Sequence, residues 1–509
     1  MVKEKSESRT RSFCRNDLSL TNRENMEKLS LKTKLSYGVA GIGDSASYNL
    51  IGSFVIFFLT TIAGVNPAIA GTIAGIGAVW ETICGAVIGY ISDNSMTKIG
   101  KRKPFLLLAS FPLAFFTALL FTAVDLPQTI RVIYYAVMVI LFWTAFAMFF
   151  VPYLAWGAEL TQNYDERTSL RGYVYFFNAL GGAIGTVLPT IIVDFLMQYG
   201  KNPAQSWQAL GIFCGLCSGL TIFIGAMGIK DRMEQKYRGD KSAWGKVRAE
   251  RKARPKQNPA VFLLGMVKNY LEILKLRTAR FVILASIFYL IGYAIFIADR
   301  IYFYTYNLEY SAGPISLLLA YNTALGVLFV PFLTAVGKKL DKRSTYIWGM
   351  GLSVVAMILF GFTGITSLAA ILVFTFMYCV GSICYWQLIP SMIYDVCEVD
   401  ELMNYKQRAG LVTSLQTLSE ALGNAIGMQI LGLILDFAGF AGDHTVQSET
   451  VLTWMHYSFT IIPSVMFILS IIMIVKYPVT KSMYDRVLRA LERRRAGENV
   501  DLKEFACLK

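Results

Sequence analysis

The stretch that decides the fold occurs twice. Residues 152–172 read PYLAWGAELTQNYDERTSLRG, and residues 390–410 read PSMIYDVCEVDELMNYKQRAG. Each runs from a proline at the end of an apolar segment, through a charged turn, to a glycine at the start of the next apolar segment. A second pair, Gly100-Lys101-Arg102 and Gly337-Lys338-Lys339, recurs at nearly the same offset after an earlier apolar segment. Two matched pairs at one offset indicate that the chain contains two similar halves.

The composition indicates a membrane protein. Of 509 residues, 55% are hydrophobic and only 16% are charged, whereas soluble domains average about 25% charged residues. Six apolar segments lie on each side of the polar segment 230–278, and this layout predicts an all-α integral membrane protein with the two six-helix halves of the major facilitator fold. The segments long enough to cross a bilayer are residues 35–62, 68–91, 104–125, 131–157, 172–198, 206–229, 279–305, 312–336, 345–366, 368–397, 410–438 and 451–475.

The basic residues are concentrated in three segments. Residues 1–34 carry nine Lys and Arg, residues 230–256 carry eleven, and residues 476–509 carry nine. Because cytoplasmic loops are enriched in Lys and Arg, we predict a cytoplasmic N-terminal tail, middle loop and C-terminal tail at 1–34, 230–278 and 476–509. They flank the halves 35–229 and 279–475 in a cell (plasma) membrane. This topology accounts for the net charge of +14, so no nucleic-acid partner is predicted.

Three acidic residues lie alone inside long apolar segments. Asp44, Glu81 and Glu420 each stand about 10 residues from the basic end of their segment, which is roughly 15 Å and near the middle of the hydrocarbon core. A carboxylate at that depth costs at least a few kcal/mol. We therefore predict that these residues bind a coupling cation. The alternative is a buried structural pair or a hydrogen bond to a neighbouring helix.

Charged residues at the basic ends of the segments are predicted to form a gate. Asp93 ends the second segment, and Lys101 and Arg102 follow in the next turn. Ion pairs between helix ends can hold one conformation closed and separate in the other. The alternative is a solvated loop face whose charges only set topology. The repeated turns supply further candidates, which we expect to pair across the two halves: Glu159, Arg167, Arg171, Asp395, Glu398 and Arg408.

Several motifs resemble those of the glycoside–pentoside–hexuronide:cation symporter family, and the likeness runs through most of residues 34–475. It implies a twelve-span major facilitator carrier that couples solute movement to a cation by alternating access. The motifs are Lys34-Leu-Ser-Tyr-Gly38, Trp80-Glu81, Gly100-Lys101-Arg102-Lys103-Pro104, Val151-Pro152-Tyr153, and Trp386 nine residues before Asp395.

The resemblance also assigns roles to single residues. Glu81 falls on a family acid that helps to bind the cation, whereas a second family acid falls on Gly85. We favour H⁺ over Na⁺, because Na⁺ needs several oxygen ligands and H⁺ needs one carboxylate. Phe150 and Tyr175 stand where the family has charged sugar-binding residues, while Trp386 keeps an aromatic position. These three residues are predicted to line a substrate pocket with more aromatic surface.

Other polar groups also lie inside apolar segments. Tyr48, Asn178 and Gln387 are further candidate substrate contacts, with helix packing as the alternative. Asp299 and Arg300 come late in the seventh segment. We place them near the outer rim as an interfacial pair, with an outer gate or a substrate contact as the alternative.

The sequence thus predicts a monomeric symporter that moves a sugar or glycoside with H⁺ or Na⁺ across a lipid bilayer. No nucleotide-binding loop, nucleophile triad or metal-ligand cluster is recognisable in the sequence, so we expect no enzymatic activity, no metal and no cofactor besides the coupling ion. Two alternatives stay open. One is a carrier of a larger amphiphile, such as a steroid, bile acid or lysolipid, and the other is a membrane sensor that does not transport.

Overall fold

The computed structural model describes residues 29–95, 97, 99–160, 164–229, 259–339, 341–405, 408–442, 444, 446–495, 498 and 501–508. Within these residues twelve helices are long and apolar enough to cross a membrane. This confirms the all-α, twelve-span fold expected from the sequence. We number the spans in chain order: Leu31–Ile62, Pro67–Asp93, Lys103–Leu120, Gln128–Gly157, Ser169–Gln198, Pro203–Gly228, Arg277–Asn307, Ala312–Phe329, Lys342–Thr363, Leu368–Asn404, Gly410–Ala438 and Glu449–Val475.

Two spans are interrupted near a proline. Span 5 is built from the helices Tyr164–Thr186 and Leu188–Gln198, and Pro189 follows the break directly. Span 12 is built from Glu449–Phe459 and Ile461–Val475. Proline has no backbone N–H and is favoured in the first turn of a helix. Pro189 and Pro463 each lie in the first turn of the helical segment that follows the break.

Spans 1 and 7 share a backbone feature. Each ends in a π-helical turn on the side away from the basic segments, at Phe58–Ile62 and Phe303–Asn307 respectively. These spans are the first of their halves. The internal repeat that the sequence indicates is therefore visible in the backbone.

Two further helices lie outside the spans, where the sequence analysis placed only a loop and a tail. Pro259–Leu274 ends the middle loop and packs against span 11, and Lys481–Arg495 follows span 12 and packs against span 10. Leu491 in the second of these helices is 3% exposed. Both helices cover the basic side of the second half.

The two halves meet at the ends of the spans opposite the basic segments. Thr60 in span 1 and Tyr302 in span 7 share a hydrogen bond of 2.5 Å between their hydroxyl oxygens. Thr190 in span 5 and Ser316 in span 8 share one of 2.6 Å. On the basic side, no ion pair among the described residues joins one half to the other.

Spans 2 and 11 close the same side through two glycines. A Cβ on Gly71 would lie 2.7 Å from the carbonyl oxygen of Met428, and a Cβ on Gly432 would lie 2.5 Å from that of Pro67. The two helices approach closely because glycine leaves room for the neighbouring backbone. The two halves are thus held together on the side opposite the basic segments, which we call the outer side.

Candidate functional site

The three acidic residues predicted to bind a cation meet at the interface of the halves. Asp44 in span 1 and Glu81 in span 2 belong to the first half, and Glu420 in span 11 belongs to the second. The ring of Tyr48 lies within electrostatic range of all three carboxylates. Asn424 of the second half donates a hydrogen bond of 3.5 Å to the Tyr48 hydroxyl. A change in charge at this site therefore acts on both halves together.

The orientation of Glu81 follows from its neighbour. The indole N–H of Trp80 donates a hydrogen bond of 2.9 Å to the hydroxyl of Thr144 in span 4. Successive residues are about 100° apart around a helix, since there are 3.6 per turn. Glu81 therefore turns away from span 4 and lies within electrostatic range of Asp44 and Glu420. The family motif Trp80-Glu81 thus contains both a packing residue and a cavity residue.

Glu420 is held by polar groups that the sequence analysis missed. The Gln416 amide donates to Glu420 Oε1 at 3.3 Å and to the Ser286 hydroxyl at 2.8 Å. Ser286 in turn shares a hydrogen bond of 2.6 Å with the Tyr385 hydroxyl. The one sequence signal was spacing, because Gln416 lies one helical turn before Glu420. Because Gln416 and Glu420 lie in the same span, this bond is not the hydrogen bond to a neighbouring helix that was the alternative for Glu420.

The arrangement of the acids differs from that of a metal centre. Within the described part of the chain, no group of three or more His, Cys, Asp or Glu side chains is placed to hold a metal ion. The three carboxylates of Asp44, Glu81 and Glu420 thus interact electrostatically around Tyr48. They are not placed to coordinate one metal ion together. Each can still take up a proton singly.

Aromatic side chains line the cavity from both halves. Trp386 in span 10 is 44% exposed, and its ring lies edge-on to Tyr293 at 5.8 Å between centroids. In span 4, Phe150 stacks on Phe146 at 5.5 Å, and Phe146 lies 6.0 Å from Tyr48. Of the predicted substrate-pocket residues, Phe150 thus connects to Tyr48 at the acidic site through ring contacts, and Trp386 contacts Tyr293. Tyr293, in span 7, was not singled out from the sequence.

The other predicted substrate contacts are placed less centrally. Tyr175 is 50% exposed, and no ring contact among the described residues connects it with the aromatic cluster. The Asn178 side chain packs against Gly41 of span 1, where a Cβ would lie 2.2 Å from Asn178 Oδ1. Gln387 is half-buried beside Trp386. For Asn178 the structure shows the packing contact that was its alternative.

Arg102 is the centre of the charged network in the first half. Its guanidinium donates to Asp93, to Glu159 at 2.9 Å and to the Ser92 hydroxyl at 2.7 Å. Burial alone would lower the pKa of Arg102, but its bonds to the two carboxylates raise it. Arg102 therefore stays charged and joins the basic ends of spans 2, 3 and 4.

The other gate residues predicted in the first half are Lys101, Arg167 and Arg171. Lys101 is half-buried and Arg171 is exposed, and the side chain of Arg167 lies outside the described residues. A pair that the sequence analysis did not foresee, Lys34 with Glu166 at 2.9 Å, joins span 1 to the start of the helix that forms span 5.

The second half has its own networks. Lys342 pairs with Asp395 at 2.7 Å, and Arg408 pairs with Asp400 and with Glu272 at 2.8 Å each. The hydrogen bond to Asp400 raises the pKa of Arg408, so the guanidinium stays charged. Each observed ion pair of the described gate residues lies within one half. Pairing of the gate residues across the halves, in a conformation closed on the basic side, therefore stays a prediction.

Asp299 and Arg300 lie close in sequence to Tyr302 at the outer end of span 7, but they are buried there and not exposed at a rim as expected. Asp299 is 0% exposed and Arg300 is 3% exposed. Nor do they form an interfacial pair, since no ion pair joins them within the described residues. The estimate from sequence counted depth along span 7 and ignored the spans that surround it on every side.

Comparison with known proteins agrees with this architecture. The isoprimeverose transporter of Lactiplantibacillus pentosus is 26% identical to this chain over 471 residues, 92% of each chain. The putative glycoside/cation symporter YagG of Escherichia coli is 24% identical over 493 residues, 94% of this chain and 99% of the relative. The xylose transporter XylE from E. coli, solved in a partially occluded, inward-open conformation, has a TM-score of 0.58 over 89% of this chain and 98% of its own, at 13% identity.

The first two relatives span nearly the whole chain, while the likeness to the solved structure concerns the fold alone. The model of the family described as MFS/sugar transport protein matches residues 36–481. The match covers all twelve spans but the first few residues of span 1, and it confirms the resemblance carried by the sequence motifs. The protein belongs to the MFS/sugar transport protein family of the major facilitator fold.

Proposed function

We propose that this protein carries a sugar or glycoside together with a cation by alternating access, and that the cation is H⁺. The observation that carries the proposal is the meeting of Asp44, Glu81 and Glu420 from both halves, between halves that are held together on the outer side. The names of two relatives, an isoprimeverose transporter and a putative glycoside/cation symporter, support the same solute class. Because the relatives are transporters by name, we propose no enzymatic activity and no cofactor besides the coupling ion.

In this proposal Glu81 binds the cation first, with Asp44 and Glu420 as its electrostatic neighbours. Cation binding removes a negative charge from the interface between the halves. If the neutralised site binds the solute better, the solute must strengthen cation binding by the same factor. The two halves then rock about the loaded site. The side chains proposed to contact the solute are Trp386, Phe150, Tyr175, Tyr48, Asn178 and Gln387.

The choice of H⁺ over Na⁺ rests on the ligands available. Na⁺ requires several oxygen atoms around one point, and the described acids do not form such a group. One carboxylate is enough to carry a proton. Gly85 offers no second carboxylate one turn after Glu81. Both observations favour a proton.

We propose that the protein is a monomer in the plasma membrane of the cell. Its basic segments would then lie in the cytoplasm. The structure would then be the inward-facing state, with the solute cavity open to the cytoplasm. The networks of Arg102 and Arg408 would keep each half rigid in this state. In the outward-facing state their carboxylates would approach the opposite half and close the cytoplasmic side.

The test is uptake into proteoliposomes containing purified protein, driven by an imposed pH gradient or an imposed Na⁺ gradient. Wild type is expected to concentrate isoprimeverose or a related glycoside under the pH gradient alone. Glu81→Gln should abolish concentrative uptake but keep solute exchange at equal pH, because exchange requires no net proton movement. Asp194→Asn is the matched control, since Asp194 lies at the outer end of span 5 and bonds Gln198 at 2.9 Å.

The outcomes separate the alternatives. Concentrative, pH-driven uptake by Glu81→Gln would overturn the coupling role of that residue. Uptake driven only by Na⁺ would overturn the proton assignment and keep the symporter. If only a steroid, bile acid or lysolipid is moved, the sugar assignment fails, and if wild type moves none of these, the sensor alternative replaces transport.

A further inference from the structure

A buried arginine faces a small polar cavity between the two halves. The cavity has a volume of about 120 Å³ and lies between spans 1, 5, 7 and 8. Arg300 is 3% exposed. The other polar side chains that line the cavity are Asn49, Ser53, Thr186, Tyr293, Asn322 and Thr323.

Among the residues that the structure describes, the charge of Arg300 has no paired carboxylate. Within the described residues no carboxylate lies within 4.0 Å of its guanidinium, and its Nε has no hydrogen-bond acceptor. The adjacent Asp299 does not supply the missing charge, because no ion pair joins the two side chains and neither carboxylate oxygen of Asp299 has a hydrogen-bond partner among the described residues. An unpaired cation at this depth is costly. Such a group is retained in a membrane span when it serves a ligand.

The cavity offers several hydrogen-bond donors. Asn322 accepts a hydrogen bond from Cys379 through its Oδ1 atom at 3.0 Å, which leaves its NH₂ group to donate. The hydroxyls of Thr186 and Thr323 donate to backbone carbonyls of their own helices. Ser53 makes no hydrogen bond among the described residues. The guanidinium, the Asn322 amide and the Ser53 hydroxyl are thus all able to donate to a guest that brings only acceptors.

The cavity adjoins the proposed solute path. Tyr293 lines it and also meets Trp386 edge-on at 5.8 Å, and Asn49 follows Tyr48 in span 1. The hydrogen bond between Thr190 and Ser316 lies between the same spans 5 and 8. A group bound at Arg300 would therefore contact both halves on the outer side of the acidic site.

We propose that Arg300 binds an anionic group of the transported solute, a carboxylate or a phosphate. This inference rests on the proposed transport function and narrows its substrate to a sugar or glycoside that carries such a group. The planar guanidinium fork matches two oxygen atoms of either group. Asn322 and Ser53 complete the donor set. The solute would lie with its anionic end at Arg300 and its ring near Trp386.

The experiment measures binding to purified full-length protein by isothermal titration calorimetry. Three solutes differ by one group: methyl β-glucoside, methyl β-glucuronide and glucose 6-phosphate. Wild type should bind one of the anionic solutes about 10- to 100-fold more tightly than the glucoside, as expected for a buried charge-assisted pair. The better of the two identifies the group as a carboxylate or a phosphate.

Variants of Arg300 test the residue itself. Arg300→Gln should bind the anionic and neutral solutes equally, and its retained glucoside binding shows that it is folded. If Arg300→Gln does not fold, Arg300→Lys keeps the charge but not the fork, and should lose part of the preference. The matched control is Arg277→Gln, because Arg277 is exposed at the basic end of the same span and should leave the preference unchanged.

Three results would decide the matter. Equal wild-type affinity for glucoside and glucuronide, with no preference for the phosphate, overturns the subsite but leaves sugar symport intact. A preference that survives in Arg300→Gln overturns the role of that residue. If no sugar binds but inorganic phosphate or acetate stabilises wild type and not Arg300→Gln, the anion subsite stands and the sugar assignment fails.

Discussion

The contact between spans 2 and 11 predicts how the outer side of this transporter is held closed. In Gly432→Ala, the new Cβ would lie 2.5 Å from the Pro67 carbonyl oxygen and 2.9 Å from the Gly71 Cα. Ordinary van der Waals contact begins at 3.4 Å, so one helix must move away. Overpacking of this kind costs about 1–3 kcal/mol. The cost arises only in the state that is closed on the outer side.

The expected result is a shift toward the state that is open on the outer side. A difference of 1–3 kcal/mol corresponds to about a 5- to 150-fold change in the ratio of the two states. Spin labels can report the change at Tyr199→Cys and Val446→Cys, since the native residues are 74% and 83% exposed on outer loops of different halves. In a background without reactive native cysteines, double electron–electron resonance should show a longer distance component in Gly432→Ala.

A second helical glycine supplies the control. Gly52 in span 1 has no atom within 4 Å of the position where a Cβ would stand, so Gly52→Ala should leave the distance distribution unchanged. Gly432→Ala should also transport more slowly, because each cycle must pass through the strained closed state. If Gly432→Ala and Gly52→Ala gave the same distances and rates, the close glycine contact would not be what stabilises the closed side.

Two further predictions concern charge and ring contacts. Arg408→Gln should lower the free energy of unfolding by about 3–5 kcal/mol, because it leaves the buried carboxylate of Asp400 without its ion-pair partner. Arg102→Gln should lower it by only about 1 kcal/mol, since the acidic partners of Arg102 are largely exposed to solvent. Thermal unfolding of the two variants side by side measures the difference, and equal losses would contradict the argument. Trp386→Ala should raise KM for the solute about tenfold or more through lost ring contact with little change in melting temperature, and Trp348→Ala, a span 9 residue that is 78% exposed, should change neither.

The site residues illustrate what could be predicted and what could not. The sequence grouped Asp44, Glu81 and Glu420 by their similar positions along three spans, and the structure brings all three to one interface. The direction of each carboxylate around its helix could not be predicted from the sequence, because hydrophobic residues surround these positions on all sides of the helix. Trp80 shows the difficulty, since it lies next to Glu81 in sequence and turns toward span 4.

For Arg300 the sequence analysis predicted the wrong surroundings. Counting residues along span 7 placed it near water, yet the neighbouring spans bury it. The sequence signal was present, because an arginine followed by more than one turn of apolar and aromatic residues is still inside the membrane. It was read as an interfacial residue because nothing in span 7 alone shows which helices surround its outer end.

The sequence by itself determined the number of spans, the placement of the basic segments together on one side of the bundle and the division into two halves. These properties follow from the transfer free energy of each segment and from local charge, which depend on the segment alone. Only the tertiary structure decided which faces of the helices meet, which ion pairs form and which side of the cavity is closed. Those properties depend on contacts between spans far apart in the chain, and the same sequence must support at least two sets of them in order to transport.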